Sequence, residues 1–249
     1  MNKSERDRIK EKILLENPNK WWGDDFDSRF YLISKIKSIK NKFILDHGGG
    51  VGIISSEINK NNSIVNLDLS FNDLKISNET IKDKIHTICS DVKKLPFKDN
   101  SFDFIISSSM LQYIRNNDIK NNQTKKKNSI NIFPSVEITL KEIKRILKPN
   151  GKIFIITPNN AYYKSYMFNF EELNETIKNN FSTYKIFFYN TYPRLSRKYR
   201  KLNFANTIPK LNSKFLSPDK VINSLSKTSS KNNYSVSFFI ECINDSDDI

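Results

Sequence analysis

Phe43-Ile-Leu-Asp46-His-Gly48-Gly-Gly50-Val-Gly52 is a short apolar run that ends in an acid and passes at once into glycines at every second position. Such a run reads as a buried parallel strand, and glycines directly after it let the backbone turn sharply and approach a ligand closely. Asp46 at the strand end can face a cationic or hydroxylated group, whereas it would repel a phosphate. The dinucleotide fingerprint G-x-G-x-x-G/A needs a small residue where Ile53 stands, and no Gly-Lys-Ser/Thr follows to make a P-loop. A plain structural turn is the alternative that the glycines alone leave open.

Two further runs repeat the pattern. Ser63-Ile-Val-Asn-Leu-Asp68-Leu-Ser70 ends in Asp68, at the offset of roughly twenty residues where a Rossmann-type second strand presents a carboxylate to ribose hydroxyls. A solvated strand-end acid is the blander reading. Ile85-His-Thr-Ile-Cys-Ser-Asp91 again ends in an acid. Asp91 can accept from an adenine amino group, Val92 can offer its backbone N–H to a ring nitrogen, and Leu69 and Val92 would flank the ring faces. A turn that suits a nucleoside carrying an amino acid better than a pyrophosphate points to S-adenosylmethionine (SAM). A Pro-containing turn at Leu95-Pro-Phe97 then leads into a fourth apolar strand, Phe102 to Ser107.

With these elements in order, the chain resembles the class I SAM-dependent methyltransferases of the type 11 group. Members carry D-x-G-x-G-x-G, a D-x-x-x-L-P-F element, S/N-x-F-D before strand four, and L-x-E-x-x-R-V-L-K-P-G-G before strand five. Here these are Asp46–Gly52, Asp91–Phe97, Asn100–Asp103 and Leu140–Gly151, within a resemblance that covers Phe43 to Pro158. It implies a Rossmann-like α/β fold with a seven-stranded, mostly parallel sheet flanked by helices, its last strand antiparallel. It also implies cofactor-binding roles for Asp46, Gly48, Gly50, Gly52, Asp68, Leu69, Asp91, Val92 and Ser107. Trp21-Trp22 with Arg29 is similar to a W-W…R element that helps close the cofactor pocket in some relatives; the alternative is that the two tryptophans cap the core edge. The departures are His47, Gly49 and Asn150, the last standing for the first glycine of the strand-five turn. Asn tolerates a left-handed conformation, so that turn should survive.

At 249 residues the chain reads as one domain with trimmings. Strands are expected near 43–46, 64–69, 86–90, 102–107 and 151–157, with Tyr184 to Tyr189 and Ser235 to Glu241 as the sixth and seventh. Val136, Leu140, Ile143 and Leu147 recur at helical spacing. The organisation expected is a helical cap over 1–42, a SAM-binding core over 43–190, a basic accessory insertion over 191–234, and a last strand and tail over 235–249. Cys89 and Cys242 give no disulfide framework and no metal cluster. A charged N-terminus and the lack of a long apolar run set the expectation of a cytoplasmic protein, with peripheral membrane contact as an option.

The net charge of +14 suggests nucleic acid, but abundant Lys, Asn and Ile throughout also fit a compositional bias. The charge is uneven: ten basic residues from Arg194 to Lys231 are opposed only by Asp219. This segment is read as binding something anionic, against a solvated surface. The polar stretch Asn116 to Phe133 is expected to be a mobile insertion, a lid in its sharpest reading.

Methyl transfer is an in-line displacement on a cofactor that brings the electrophile, so the protein mainly aligns and desolvates. Ser107, Ser108, Gln112, Tyr113, Tyr162 and Tyr163 are near the expected acceptor side, and none is a strong base. His47 and His86 read as structural, so no catalytic residue is assigned. Ser107-Ser-Ser-Met110 in place of N/D-P-P-Y/F argues against methylation of exocyclic nucleobase amines. The expected function is methyl transfer to a small-molecule, glycan or lipid-linked acceptor, on oxygen. The alternatives are an RNA-directed methyltransferase and a catalytically silent SAM-binding partner protein.

Overall fold

The computed structural model describes residues 26–81, 85–127, 130–160, 167–189 and 237–245. In chain order its elements begin with α1 (Phe26–Ile36), β1 (Phe43–His47), a 3-10 turn (Ser55–Glu57), β2 (Ser63–Asp68), α2 (Phe71–Thr80), β3 (Ile85–Cys89) and β4 (Phe102–Ser108). There follow α3 (Leu111–Lys120), the strands β5 (Lys125–Lys127) and β6 (Ile130–Ile132), α4 (Pro134–Ile146), β7 (Leu147–Pro158), α5 (Phe170–Lys178), β8 (Thr183–Tyr189) and β9 (Ser237–Ile243).

Seven strands form one sheet in the order β3-β2-β1-β4-β7-β9-β8, and β9 alone runs against the rest. This is the Rossmann-like α/β sheet expected from the sequence. The chain leaves β1 toward β2 and β3 and later returns to β4 on the other side. That reversal opens a crevice at the carboxyl ends of β1 and β4, where open α/β sheets bind ligands.

Side chains alternate across the sheet. Leu45, Val65, Leu67, Ile105 and Ile153 pack beneath Val136, Leu140 and Ile143 of α4 and Leu173 and Ile177 of α5. Ile44, Ile64, Ile106 and Phe154 pack on the opposite face under Tyr31, Leu32, Ile33 and Ile36 of α1, with Ile54 and Ile58. The same alternation sends Asp46 and Asn66 to the α1 face and His47 and Ser107 to the α4 face.

The sequence signatures acquire physical roles here. Glu142 and Arg145 of α4 hold the Leu95-Pro-Phe97 turn. Arg145 donates to the carbonyls of Phe97 (2.8 Å) and Leu95 (3.2 Å), and Glu142 accepts from the Leu95 N–H (2.9 Å). The Arg145 guanidinium in turn keeps the Glu142 carboxyl below its ordinary range. Asp103 accepts from the backbone N–H of Phe43 at 2.9 Å and from Lys148 Nζ at 3.0 Å, so it ties β4 to the start of β1 and to β7. Asn150 takes φ +60°, the left-handed conformation expected of it.

The polar stretch after β4 departs from expectation. Where the sequence suggests a mobile insertion over 116–133, the described residues continue α3 to Lys120 and then fold back as the antiparallel pair β5–β6. Two half-buried contacts explain this order. Asp118 Oδ2 accepts from the N–H of Ser135 at 2.9 Å, capping α4 from outside because Phe133 supplies no side-chain cap. Asn131 of β6 donates to Glu172 of α5 at 2.8 Å, and Glu172 is ion-paired with Arg115 of α3 at 2.9 Å.

Trp21 and Trp22, the basic segment from Arg194 to Lys231, and Tyr162 and Tyr163 lie outside the described residues. Among the described residues no helix is long and apolar enough to cross a membrane, and no cluster of His, Cys, Asp and Glu is arranged to hold a metal ion.

Candidate active site

The turn after β1 is pinned from below and from the side. Gly48 and Gly49 both donate to the Leu67 carbonyl, at 2.8 and 3.2 Å. Asp68 Oδ2 then accepts from the N–H of Gly50 at 2.9 Å, while its Oδ1 accepts from Ser70 at 2.8 Å. One carboxylate thus joins the tip of β2 to the glycine turn. Burial raises the Asp68 pKa, with the bonds from Ser70 and Gly50 acting the other way. The Leu69 N–H acts on it in the same direction, and part of the carboxylate's acceptor capacity is left over for ribose hydroxyls.

Two of the glycines are required by geometry. Gly48 takes φ +73°, and a Cβ there would collide with the Met110 side chain beyond β4. Gly52 takes φ +80°, and its Cβ would stand 2.5 Å from both Ser77 Oγ and Ile81 Cδ1 on the flank of α2. Gly50 differs: at φ +54° its Cβ would meet only Asp68 Oδ2, at 3.9 Å, so its surroundings are open. Gly52→Ala therefore combines a left-handed penalty with overpacking, and should lower unfolding free energy by about 2–4 kcal/mol. Chemical denaturation monitored by circular dichroism would read that loss directly; an unchanged midpoint would refute the close packing.

The tips of β2 and β3 meet beside this turn. The N–H of Ser90 donates to the Asp68 carbonyl at 3.1 Å, which sets Asp91 and Val92 next to Asp68 and Leu69. Leu69 is 70 % exposed, unusual for a leucine at the end of a buried strand, and Phe71 shares that exposure. Asp91 is exposed and accepts from the N–H of Lys93, while Val92 packs against the core. Asp46, the three glycines, Asp68, Leu69, Asp91 and Val92 thus sit along one edge of the sheet, at the carboxyl ends of three neighbouring strands. This is an open glycine cradle beside an acid, with an apolar shelf and a second acid further along.

A family model described as a methyltransferase domain matches residues 45–155, the stretch that contains every one of these positions. This chain carries a class I SAM-dependent methyltransferase domain. Among curated relatives, an uncharacterized protein of Methanocaldococcus jannaschii is 30 % identical over 145 residues, 58 % of this chain and 53 % of that protein. The sterol 4-C-methyltransferase of Caenorhabditis elegans is 26 % identical over 131 residues, 50 % of this chain and 34 % of that enzyme. The chain thus spans about half, or less, of the length of these relatives. In three dimensions it is similar to a Haemonchus contortus phosphoethanolamine N-methyltransferase solved with phosphomonomethylethanolamine and S-adenosylhomocysteine. The TM-score is 0.57 at 18 % identity, covering 87 % of this chain and 52 % of that one. That likeness concerns the fold.

Within the methyltransferase domain two sequence expectations change. Asp46 does not face outward: it is fully buried, and its Oδ2 accepts from both the N–H (3.0 Å) and the hydroxyl (2.7 Å) of Ser55. The Ser107 hydroxyl is likewise buried and lies 3.4 Å from His47 Nδ1, so any part it plays toward a ligand falls to its backbone. Burial pushes the His47 pKa down to about 4, which keeps the ring neutral near pH 7 and fits a structural role. Arg29 lies in α1; its side chain is outside the description.

Three residues of the methyltransferase domain escaped sequence reasoning. Ser55 carries no signal, being a serine in a polar turn. Asn66 had one: a lone amide inside the apolar run of β2 must find partners, and its Nδ2 donates to the Gly50 carbonyl (3.0 Å) and to Ser77 Oγ (3.1 Å). Ser109, just past β4, holds φ +56° with a buried hydroxyl that has no partner. Its carbonyl accepts from Gln112 Nε2 at 2.6 Å, and Gln112 Oε1 lies 3.5 Å from the Thr157 hydroxyl at the end of β7.

Proposed function

We propose that this chain is a SAM-dependent methyltransferase that acts on a small-molecule acceptor. The observation that carries the reading is Asp68. It is a strand-end carboxylate locked to the glycine turn by Gly50, with acceptor capacity left over and an exposed leucine beside it, inside a matched methyltransferase domain. Asp68 would take the ribose hydroxyls, the glycine turn would admit the amino-acid end, and Asp91 with the Val92 N–H would read the adenine edge over Leu69. When bound, the cofactor supplies a methyl group on a positively charged sulfur.

The chain's own contribution follows from what surrounds that edge. Met110 packs on the glycine turn, and Gln112 with Thr157 forms a polar, buried floor at the ends of β4 and β7. These groups orient and exclude water, which is the main task in such a displacement. His47 is neutral and enclosed, so it is no general base for an acceptor; the acceptor atom proposed is one that needs little help to lose its proton, such as an acidic hydroxyl. The high positive charge of the chain, +14, favours an acceptor that also bears an anionic group.

A direct test is release of S-adenosylhomocysteine from SAM, across a panel of hydroxylated sugars, sugar phosphates, phenols, sterols and a structured RNA. Turnover with a small hydroxylated acceptor is expected, and strongest where it carries a negative charge. Turnover on RNA alone would replace this reading with an RNA-directed enzyme. Cofactor binding without turnover on any acceptor would favour a silent SAM-binding protein.

A further inference from the structure

Arg115 and Glu172 form an unequal pair. Three donors hold Glu172: Oε2 accepts from Arg115 Nη2 at 2.9 Å and from the Asn169 N–H at 3.4 Å, and Oε1 accepts from Asn131 at 2.8 Å. Its place in the first turn of α5 also sets its charge against a helix N-terminus. Arg115 is less complete. Its Nη2 is bonded, while Nε and Nη1 are buried with no hydrogen-bond partner among the described residues. Phe133 and Phe168 give the guanidinium two aromatic neighbours but no oxygen. Asp118, one turn further along α3, bonds the Ser135 N–H instead. Buried donors of a charged group are costly to leave open, so a purely structural pair would close both partners.

The open donors lie at the carboxyl edge of the sheet. Helix α3 starts directly after β4, and helical side chains lean toward the helix N-terminus, so Arg115 leans back toward the crevice. Phe168, whose ring is 5.4 Å from the guanidinium, is tied to the end of β7: its carbonyl accepts from the Asn160 N–H at 2.9 Å. Ser109, Gln112 and Arg115 follow at intervals of three residues and share one face of the chain that leaves β4. Gln112 links this face to the Ser109 carbonyl at 2.6 Å and to the Thr157 hydroxyl at 3.5 Å. At the crevice end the Ser109 hydroxyl is again buried without a partner, on a backbone held at φ +56°. Open polar atoms thus stand at both ends of one polar row, as in a site whose few polar groups fix a ligand's orientation.

We infer that Arg115 receives an anionic group of the methyl acceptor, a carboxylate or a phosphate, and that the row from Ser109 to Arg115 is the acceptor subsite. The inference rests on the methyltransferase reading above and names what recognises the charge. Binding an anion gives Arg115 its missing acceptor, while Glu172 keeps all three of its donors. The spacing limits the acceptor's size. From Ser109 at the crevice to Arg115 the chain rises by roughly 9 Å if helical throughout, which bounds the distance from the reacting atom to the anionic group. That describes a small acid held at both ends. A neutral sterol or quinone would leave Arg115 unpaired.

The test compares probes that differ in charge: para-hydroxyphenylacetate against its amide, and glycerol phosphate against glycerol. In calorimetric titration of the S-adenosylhomocysteine-loaded protein, the charged member of one pair should bind about tenfold tighter or more. Preference within the first pair identifies a carboxylate subsite, and preference within the second a phosphate subsite. Arg115→Met/Glu172→Gln removes both charges together and should abolish the preference. Lys126→Gln, on the exposed strand β5, should retain it. No preference in the wild type, or one that survives in the double variant, would overturn the inference. A preference lost in Lys126→Gln would assign it to surface charge and overturn the inference as well. Arginine Nε–H NMR of the wild-type protein needs neither cofactor nor variant. The Arg115 signal, assigned through its backbone correlations in α3, should move on addition of acetate or inorganic phosphate, and an unmoved signal would refute the subsite. Failure to bind S-adenosylhomocysteine would count against the cofactor reading alone, and the Nε–H titration would still decide this one.

Discussion

Asp68→Ala should weaken SAM and S-adenosylhomocysteine binding by at least a hundredfold while leaving the sheet intact. Two losses add. The ribose hydroxyls lose a charged acceptor, and hydrogen bonds to charged groups are worth about 1.5–3 kcal/mol each. The Gly50 N–H loses the bond that fixes the glycine turn to β2. Two such contributions correspond to a hundredfold or more in dissociation constant. Asp68→Asn should behave much like the alanine variant, because both oxygens accept from backbone N–H groups and an amide would turn an NH2 against one of them. Calorimetric titration of the three proteins checks this. Wild-type affinity in either variant would remove Asp68 from the cofactor site.

The second large effect belongs to stability. Arg115 and Glu172 form a pair whose side chains are 5 % and 4 % exposed, joining α3 to α5. The guanidinium lies 4.6 Å from the Phe133 ring and 5.4 Å from the Phe168 ring, so its charge is held by aromatic faces as well as by the carboxylate. Glu172 also accepts from Asn131, which fastens β6 to α5. Arg115→Met leaves that carboxylate buried and uncompensated and should cost about 3–5 kcal/mol in unfolding free energy. The double variant Arg115→Met/Glu172→Gln removes both charges and should regain most of the loss. Urea denaturation of the pair separates the outcomes. Equal losses in the single and double variants would show that packing on Phe133 and Phe168, not charge, dominates.

The parallel half of the fold was legible because its strands are buried on both faces and read as continuous apolar runs closed by acids or glycines. Phe43 to His47 and Ser63 to Asp68 are of this kind, and Phe104-Ile-Ile106 supplies the apolar centre of a third. The region from Asn116 to Phe133 was not legible, since its order comes from contacts remote in sequence. Asp118 caps the helix that begins at Pro134, and Asn131 reaches Glu172 of α5. A run such as Lys125-Lys-Lys127 shows no strand pattern by itself, yet it pairs with Ile130-Asn-Ile132. At the site, the glycines and Asp68 were readable from spacing because their geometry is local to one turn and one neighbouring strand. The inward turn of Asp46 was not, because it depends on Ser55, a serine in a polar turn that does not mark itself as a partner. Ser107 is a similar case, its hydroxyl turned toward a histidine on the adjacent strand.

The most direct test of the account is a crystal structure of the complex with S-adenosylhomocysteine. The prediction is a ligand at the carboxyl ends of β1, β2 and β3, with both ribose hydroxyls on the Asp68 carboxylate. Its adenine should lie over Leu69 with its edge at Asp91 and Val92, and its amino-acid end in the turn of Gly48 to Gly52. A ligand bound elsewhere on the molecule, or a saturated crystal with that edge still open, would contradict it.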